Sequence, residues 1–267
     1  MGRVQSPSSI KLYKQCPRKY YYSYILKLPT ADNVHTIRGR IAHEVLEDFF
    51  DWNPDQLTPM NADSLSHTRV QELLIAKWTA VHAEVRKVMP EKELEIAMFE
   101  ETLLMLLGWS RKFVGRMRAT GAPLPEAFRQ LTPERELEIV DWDLRCKGVI
   151  DAVHHSQAGV DIIDYKTSES QDIHEHTLQL AIYALLYTLK HGRQPRRVGI
   201  NFLKGDEAYL DVDEKLLALA RKEIEDTHAK TTSADKKDYP RTVSRLCKWS
   251  SGQCDFYDVC RPDLGID

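Results

Sequence analysis

Near residue 132 the chain changes from helical to strand-like patterning, and that change sets the fold class. Upstream, apolar residues recur at helical spacing and no stretch alternates; downstream, residues 134–140, 144–153 and 160–166 follow the two-residue strand period. The first two runs pair as a hairpin through Asp141-Trp142-Asp143. A helix over 175–190 follows, then strands over 197–203 and 208–212 joined at Lys204-Gly205-Asp206-Glu207, then a helix over 216–228. This order predicts an α/β protein with a mixed central sheet flanked by helices.

The upstream half reads as helices. Ser6-Pro7-Ser8-Ser9 caps a helix over 10–24, and Gly39-Arg40-Ile41-Ala42-His43 opens a second that runs to Phe50. Residues 51–66, with Pro54 and Pro59, read as a polar loop. Residues 67–120 read as two or three amphipathic helices, with breaks at Pro90 and at 121–125. No apolar run approaches the roughly 18 residues of a membrane span, and the N-terminus lacks a secretory pattern. The expected location is therefore the cytoplasm.

The sharpest chemical signal is Gly148-Val-Ile-Asp151 followed by Asp161-Ile-Ile-Asp164-Tyr165-Lys166. Alternation along a strand sends Asp164 and Lys166 to one side and Ile163 and Tyr165 to the other. Asp151, closing the preceding strand, can reach the same edge. Two carboxylates beside an ammonium form a hard oxygen site suited to magnesium or manganese. Such an ion generates hydroxide and relieves charge on a phosphoryl transition state, with Lys166 as electrostatic partner. A bare D-x-K triplet is also common in salt-bridged surface hairpins. Here the next helix adds Gln179 and Tyr183, four apart on one face.

Taken together, Gly148-x-x-Asp151, Asp164-x-Lys166 and Gln179-x-x-x-Tyr183 resemble the RecB-like branch of the PD-(D/E)XK nucleases. The resemblance implies a restriction-endonuclease-like sheet, with residues 51–130 as a helical insertion in one nuclease domain. It makes Asp151, Asp164, Lys166, Gln179 and Tyr183 catalytic. It gives the metal His43, from Gly39-Arg-x-x-His43-x-x-x-Glu47, together with Asp151, Asp164 and the Tyr165 carbonyl. Glu47, one turn on, would orient His43. His154, His155, His174 and His176 have no such support and are read as surface residues.

Five cysteines are present, and Cys247, Cys254 and Cys260 fall within 14 residues near the C-terminus. Intracellular cysteines grouped this way suggest metal, catalysis or core packing rather than disulfides. With the distant Cys16 they resemble the iron–sulfur staple of certain RecB-like nucleases, among them CRISPR-associated ones and AddB. The resemblance implies a 4Fe-4S cluster that joins segments 1–24 and 240–262. Five residues separate Cys254 from Cys260, as in that pattern. Six separate Cys247 from Cys254, with residues 250–253 as an apparent insertion. Cys146 reads as a packed core residue.

The net charge of −3 neither announces nor excludes a nucleic-acid binder. Arg18, Lys19, Tyr20 and Arg40 are the DNA-binding candidates. Lys14, three further tyrosines (Tyr21, Tyr22, Tyr24), Arg38, Arg111, Lys112, Arg116 and Arg118 extend the set; aromatics stack on bases while cations track phosphates. The expected activity is a metal-dependent DNA exonuclease, with some endonuclease activity, acting on single strands or duplex ends. Its setting would be CRISPR adaptation beside an integrase, or recombination and repair with a recombination partner. The competing class is a catalytically silent DNA-binding module carrying an iron–sulfur cluster or zinc.

Overall fold

The structure, a computed structural model, describes residues 3–250 and 252–261. Its first helix, α1 (Pro7–Gln15), starts at a capping box formed by Ser6 and Ser9. The helix expected over 10–24 is broken. Cys16 is extended because a residue before proline is pushed out of the helical region, and Pro17 then opens α2 (Pro17–Tyr20). A π-helical turn follows over Tyr21–Ile25.

The upstream helices continue with α3 (Val34–Phe49), capped by the Asn33 side chain, α4 (Ala62–Ala80), α5 (His82–Val88), α6 (Lys92–Ala119) and α7 (Leu124–Leu131). Two expectations need correction. The loop over 51–66 is shorter, because α4 begins at Ala62. The break at 121–125 leads into a helix, since Pro125 in its first turn forfeits only an amide that would lack a partner anyway.

Strands β1 (Glu134–Asp141), β2 (Cys146–Ser156), β3 (Gly159–Lys166), β4 (Arg197–Phe202) and β5 (Glu207–Asp211) form one sheet in that order. The pairs are antiparallel except β3–β4, which is parallel and is connected through α8 (Thr177–His191). Helix α9 (Glu214–Lys230) follows β5. The last described elements are short: β6 (Lys248–Trp249), β7 (Gly252–Gln253) and α10 (Tyr257–Cys260).

The sheet carries a core on each face. On one side Ile150, Ile162, Val198 and Ile200 pack under α8 and α9, and Cys146 is fully buried there, its thiol pushed up to about 12 by burial. On the other side Ala152, Ile163 and Tyr165 pack against α3, α4, α6 and α7, centred on Phe49, Trp109 and Phe113. A third, aromatic core (Tyr20, Tyr21, Tyr22, Tyr239 and Phe256) ties the N-terminal helices to the C-terminal segment. Among the described residues no helix is long and apolar enough to cross a membrane.

Two histidines expected on the surface are not there. His176 is buried against Phe202, and His154 is half-buried near Arg116 and Glu207. Burial holds both at about 4, well below the ordinary imidazole value.

Candidate active site

Strands β2 and β3 part company at the site. Their pairing runs from Ser156–Gly159 only as far as Ala152–Ile163, although β2 begins six residues before Ala152 and β3 runs three beyond Ile163. The fork is spanned near its apex by the Tyr165 amide, which donates to Asp151 Oδ2 at 2.8 Å. Its open end is closed by Gln5, whose backbone bonds both Arg145 and Lys147. Backbone groups that would bond a paired neighbour instead face a gap.

Asp151 was expected at a strand end; it lies in mid-strand and reaches the site through a kink. Ile150 and Ala152, two apart, belong to cores on opposite faces of the sheet, so the alternation fails at Asp151. Across the hairpin, the pairs Leu137–Ile150 and Arg135–Ala152 bracket Glu136, which adopts φ 48°. A non-glycine residue in the left-handed region inside a strand is strained, and such a distortion re-aims side chains. Here it brings Glu136 to the site: ligand atoms of His43, Glu136 and Asp151 all lie within 4.8 Å of one another. Sequence reasoning missed Glu136. The hairpin register alone, which sets it opposite Asp151, was the available signal.

The other members are held by each other. His43, on the sheet-facing side of α3, lies with Nδ1 3.3 Å from Asp151 Oδ2 and Nε2 2.9 Å from the Tyr165 carbonyl oxygen. Burial works to lower the imidazole pKa. The hydrogen bond to Asp151 and the charges of Asp151 and Asp164 outweigh that, and the net shift is upward. Glu47 makes no hydrogen bond to His43 among the described residues. It sits near Glu136, whose carboxyl is raised by burial and by the charges of Asp151 and Glu47.

Asp164 is almost entirely buried. Its Oδ1 accepts from Gln179 Nε2 at 2.6 Å, and the same nitrogen donates to the Tyr183 hydroxyl at 3.0 Å. Its Oδ2 lies 2.5 Å from Lys166 Nζ, a charge contact, and has no aligned hydrogen-bond donor. Burial, then the Asp151 charge, pushes the Asp164 carboxyl up to about 6, against the pull of Lys166 and His43. Tyr183 is raised by burial first and then by both aspartates, so its hydroxyl stays protonated. Gly148 has a packing reason: a Cβ there would come within 3.0 Å of the Tyr183 ring.

The group His43, Glu136 and Asp151 offers two carboxylates and one imidazole that fit a divalent cation, with the Tyr165 carbonyl beside the imidazole; Asp164 is not in that group, though its buried Oδ2 lacks a hydrogen-bond donor. The model of the PD-(D/E)XK nuclease superfamily matches residues 5–261. The chain belongs to the PD-(D/E)XK nuclease superfamily. Nucleases of this superfamily hydrolyse phosphodiesters with divalent metals, and the carboxylate cluster supplies the acidic ligands such an ion needs. A search of curated proteins finds no match. A crystal structure from Eubacterium rectale named "Putative exonuclease" aligns over 96% of this chain and 92% of its own, with 11% sequence identity and a TM-score of 0.48.

The four cysteines expected to act together line one cavity, with Arg18, Lys19 and Tyr22 beside them. Cys16 Sγ accepts from the Thr242 amide, and the Cys254 amide donates to the Cys247 carbonyl. No disulfide joins the cysteines. Burial raises the Cys254 thiol. Residues 251 and 262, within the expected insertion and cluster segment, lie outside the described residues.

The expected DNA-binding set needs the largest correction. Tyr20 is fully buried and stacks on Tyr239, so its ring cannot reach a base; Tyr21 and Tyr22 are buried beside it, and Tyr24 lies under Arg3. Arg18 Nε donates to the Tyr239 carbonyl, and Lys19 lies 3.9 Å from Asp255. Arg40 pairs with Glu84 on α5. Arg38 is buried, pairs with Glu101 and donates to the Thr167 carbonyl just after Lys166, so it pins the end of β3. Lys112, Arg116 and Arg118 pair with Asp206, Glu207 and Asp63. Arg111 stays exposed.

Proposed function

We propose that this nuclease is a metal-dependent deoxyribonuclease, chiefly an exonuclease with some endonuclease activity, acting on single strands or duplex ends. One observation supports the reading: at the fork Asp151 contacts His43 and the Tyr165 amide, while Asp164 contacts Lys166 and feels the Asp151 charge. Asp151, Asp164, His43 and the Tyr165 carbonyl would hold magnesium or manganese, with Glu136 beside them. The ion supplies Lewis acidity, lowering the pKa of a bound water and drawing charge from a phosphate oxygen.

The chain's own groups do the remainder. Lys166, held against Asp164, offsets the charge that grows on the phosphate. Gln179 fixes the Asp164 carboxylate through Oδ1 and leaves Oδ2 for ligation. Tyr183, kept protonated, orients Gln179 by accepting its amide hydrogen. The decisive experiment is a time course on end-labelled single- and double-stranded DNA with added magnesium or manganese. Progressive shortening that disappears in Asp164→Ala and Lys166→Ala supports the reading; full activity in either variant rejects the assigned centre.

The cysteine cavity is read as the seat of a 4Fe-4S cluster that joins segments 1–24 and 240–262. Residues 51–130 are read as an insertion within one nuclease domain. All four cysteines line one cavity and none is in a disulfide, which supports a shared metal centre. A brown protein with broad absorption and stoichiometric iron supports the cluster; a colourless protein holding zinc rejects it. The biological setting follows the same reading, either CRISPR adaptation beside an integrase or recombination and repair.

A further inference from the structure

The fork between β2 and β3 opens onto a groove of about 650 Å³ that reaches the catalytic centre, since Lys166, Gln179 and Tyr183 form one end of it. The first turns of α1, the start of α8 and the edge of β2 at residues 147–149 make up its walls. Its charge is one-sided. Lys11, Lys14 and Lys147 line it against a single acid, Glu175. Lys14 is spoken for by Glu223 at 2.5 Å. Lys11 and Lys147 are exposed and take part in no salt bridge among the described residues. The half-exposed Val149 adds an apolar surface beside them.

We infer that this groove is the track for a single nucleic-acid strand, with Lys11 and Lys147 holding the phosphates next to the one being cut. The inference rests on the nuclease reading above and replaces the tyrosine–arginine surface as the strand-binding element. Charge complementarity identifies the occupant: two cations without carboxylate partners lie along a trough that ends at the reactive lysine. Shape narrows it to one strand. Its walls, from α1, α8 and the β2 edge at 147–149, enclose about 650 Å³, room for a short run of nucleotides but not for a duplex turn. The β2 backbone at 148–150 has neither β3 nor Gln5 as a partner along the fork, so its edge offers further hydrogen-bonding groups to the strand.

The test separates binding from cutting. Charge reversal (Lys11→Glu with Lys147→Glu) is made in the full chain and in the Asp164→Asn background. Labelled oligothymidylate and a blunt duplex are titrated against the latter over a range of salt. Each phosphate contact on a single strand contributes about 0.7 to the slope of log K against log salt, so the double variant should lose about 1.4. Affinity for the single strand should fall at least about tenfold at moderate salt. In the otherwise unaltered chain KM should rise while kcat stays within about twofold, because these lysines do not touch the reacting atoms.

Lys215→Glu, an exposed position on α9 outside the groove, controls for net charge and should leave the slope unchanged. An unchanged slope in the double variant, an equal change in Lys215→Glu, or weakening confined to the duplex would each overturn the groove assignment. Failure of the unaltered chain to cut any DNA removes the nuclease reading and this inference with it. Full cutting with an unchanged slope sinks the inference alone.

Discussion

The carboxylate centre and the cysteine cavity are built by opposite strategies. The two aspartates at the first are each tied to other members of the site or to the sheet: Asp151 to the Tyr165 amide and His43, Asp164 to Gln179 and Lys166. It sits where two hydrophobic layers meet, so its geometry is a by-product of packing. The cysteines lie in segments with little regular structure and line one cavity. The comparison teaches that the fold prepares the first centre, whereas at the second the bound group itself would draw the ends together.

Several measurements would break or sharpen this contrast. The largest effect belongs to Asp164→Ala. Cleavage should fall by at least about a hundredfold, the order seen on removing one electrostatic stabiliser of a transition state, while the thermal midpoint stays within a few degrees. A large loss of stability would mean that the carboxylate centre is structural as well.

Cys16→Ser should behave in reverse. If the bound group supplies folding free energy, Tm drops by about 5 °C or more, since 1 kcal/mol corresponds to about 2–4 °C in a chain of this size. Absorption by the cluster should decline with it. An unchanged melting curve would leave the two centres alike in being formed by the fold alone.

Glu136→Gln comes next, with a loss of about tenfold in manganese affinity, the lower end for groups that support metal ligands. The cysteine cavity should not respond.

The smallest effect is the pH dependence of manganese binding, read by calorimetry on the Asp164 site. Because the Asp164 pKa is raised to about 6, the carboxyl carries a proton below that pH and must lose it to ligate an ion. His43, whose imidazole is raised above its ordinary value, must also lose its proton, so affinity should already decline as pH falls through neutrality and decline more steeply below about pH 6. Flat affinity down to pH 5 would mean that Asp164 is not a ligand.

The placement of Asp164, Lys166, Gln179 and Tyr183 was legible because it rests on local rules. Strand alternation sends Asp164 and Lys166 to one face whatever surrounds them, and the four-residue helical spacing puts Gln179 beside Tyr183. The hairpin and the helix between β3 and β4 follow from the same periodicities. The N-terminal tyrosines show where such rules stop. Helical spacing says that Tyr20 and Tyr24 share a face, but the C-terminal segment that brings Tyr239 against Tyr20 and Phe256 against Tyr22 lies more than two hundred residues away. The same run of side chains suits a nucleic-acid surface or a small core.

By itself the sequence determined the order of the strands and of the helix between β3 and β4, the shared face of Asp164 and Lys166, and the pairing of Gln179 with Tyr183 on one helix face. Tertiary structure alone decided that β2 kinks at Asp151 and so admits Glu136, that Arg38 is buried rather than exposed, and that Lys11 and Lys147 border the fork while Lys14 is occupied by Glu223. The reason is range. Backbone sterics and side-chain period act over a few residues and are written locally. Which charge finds a partner, and which aromatic face is covered, depends on segments that meet only when the chain has closed on itself.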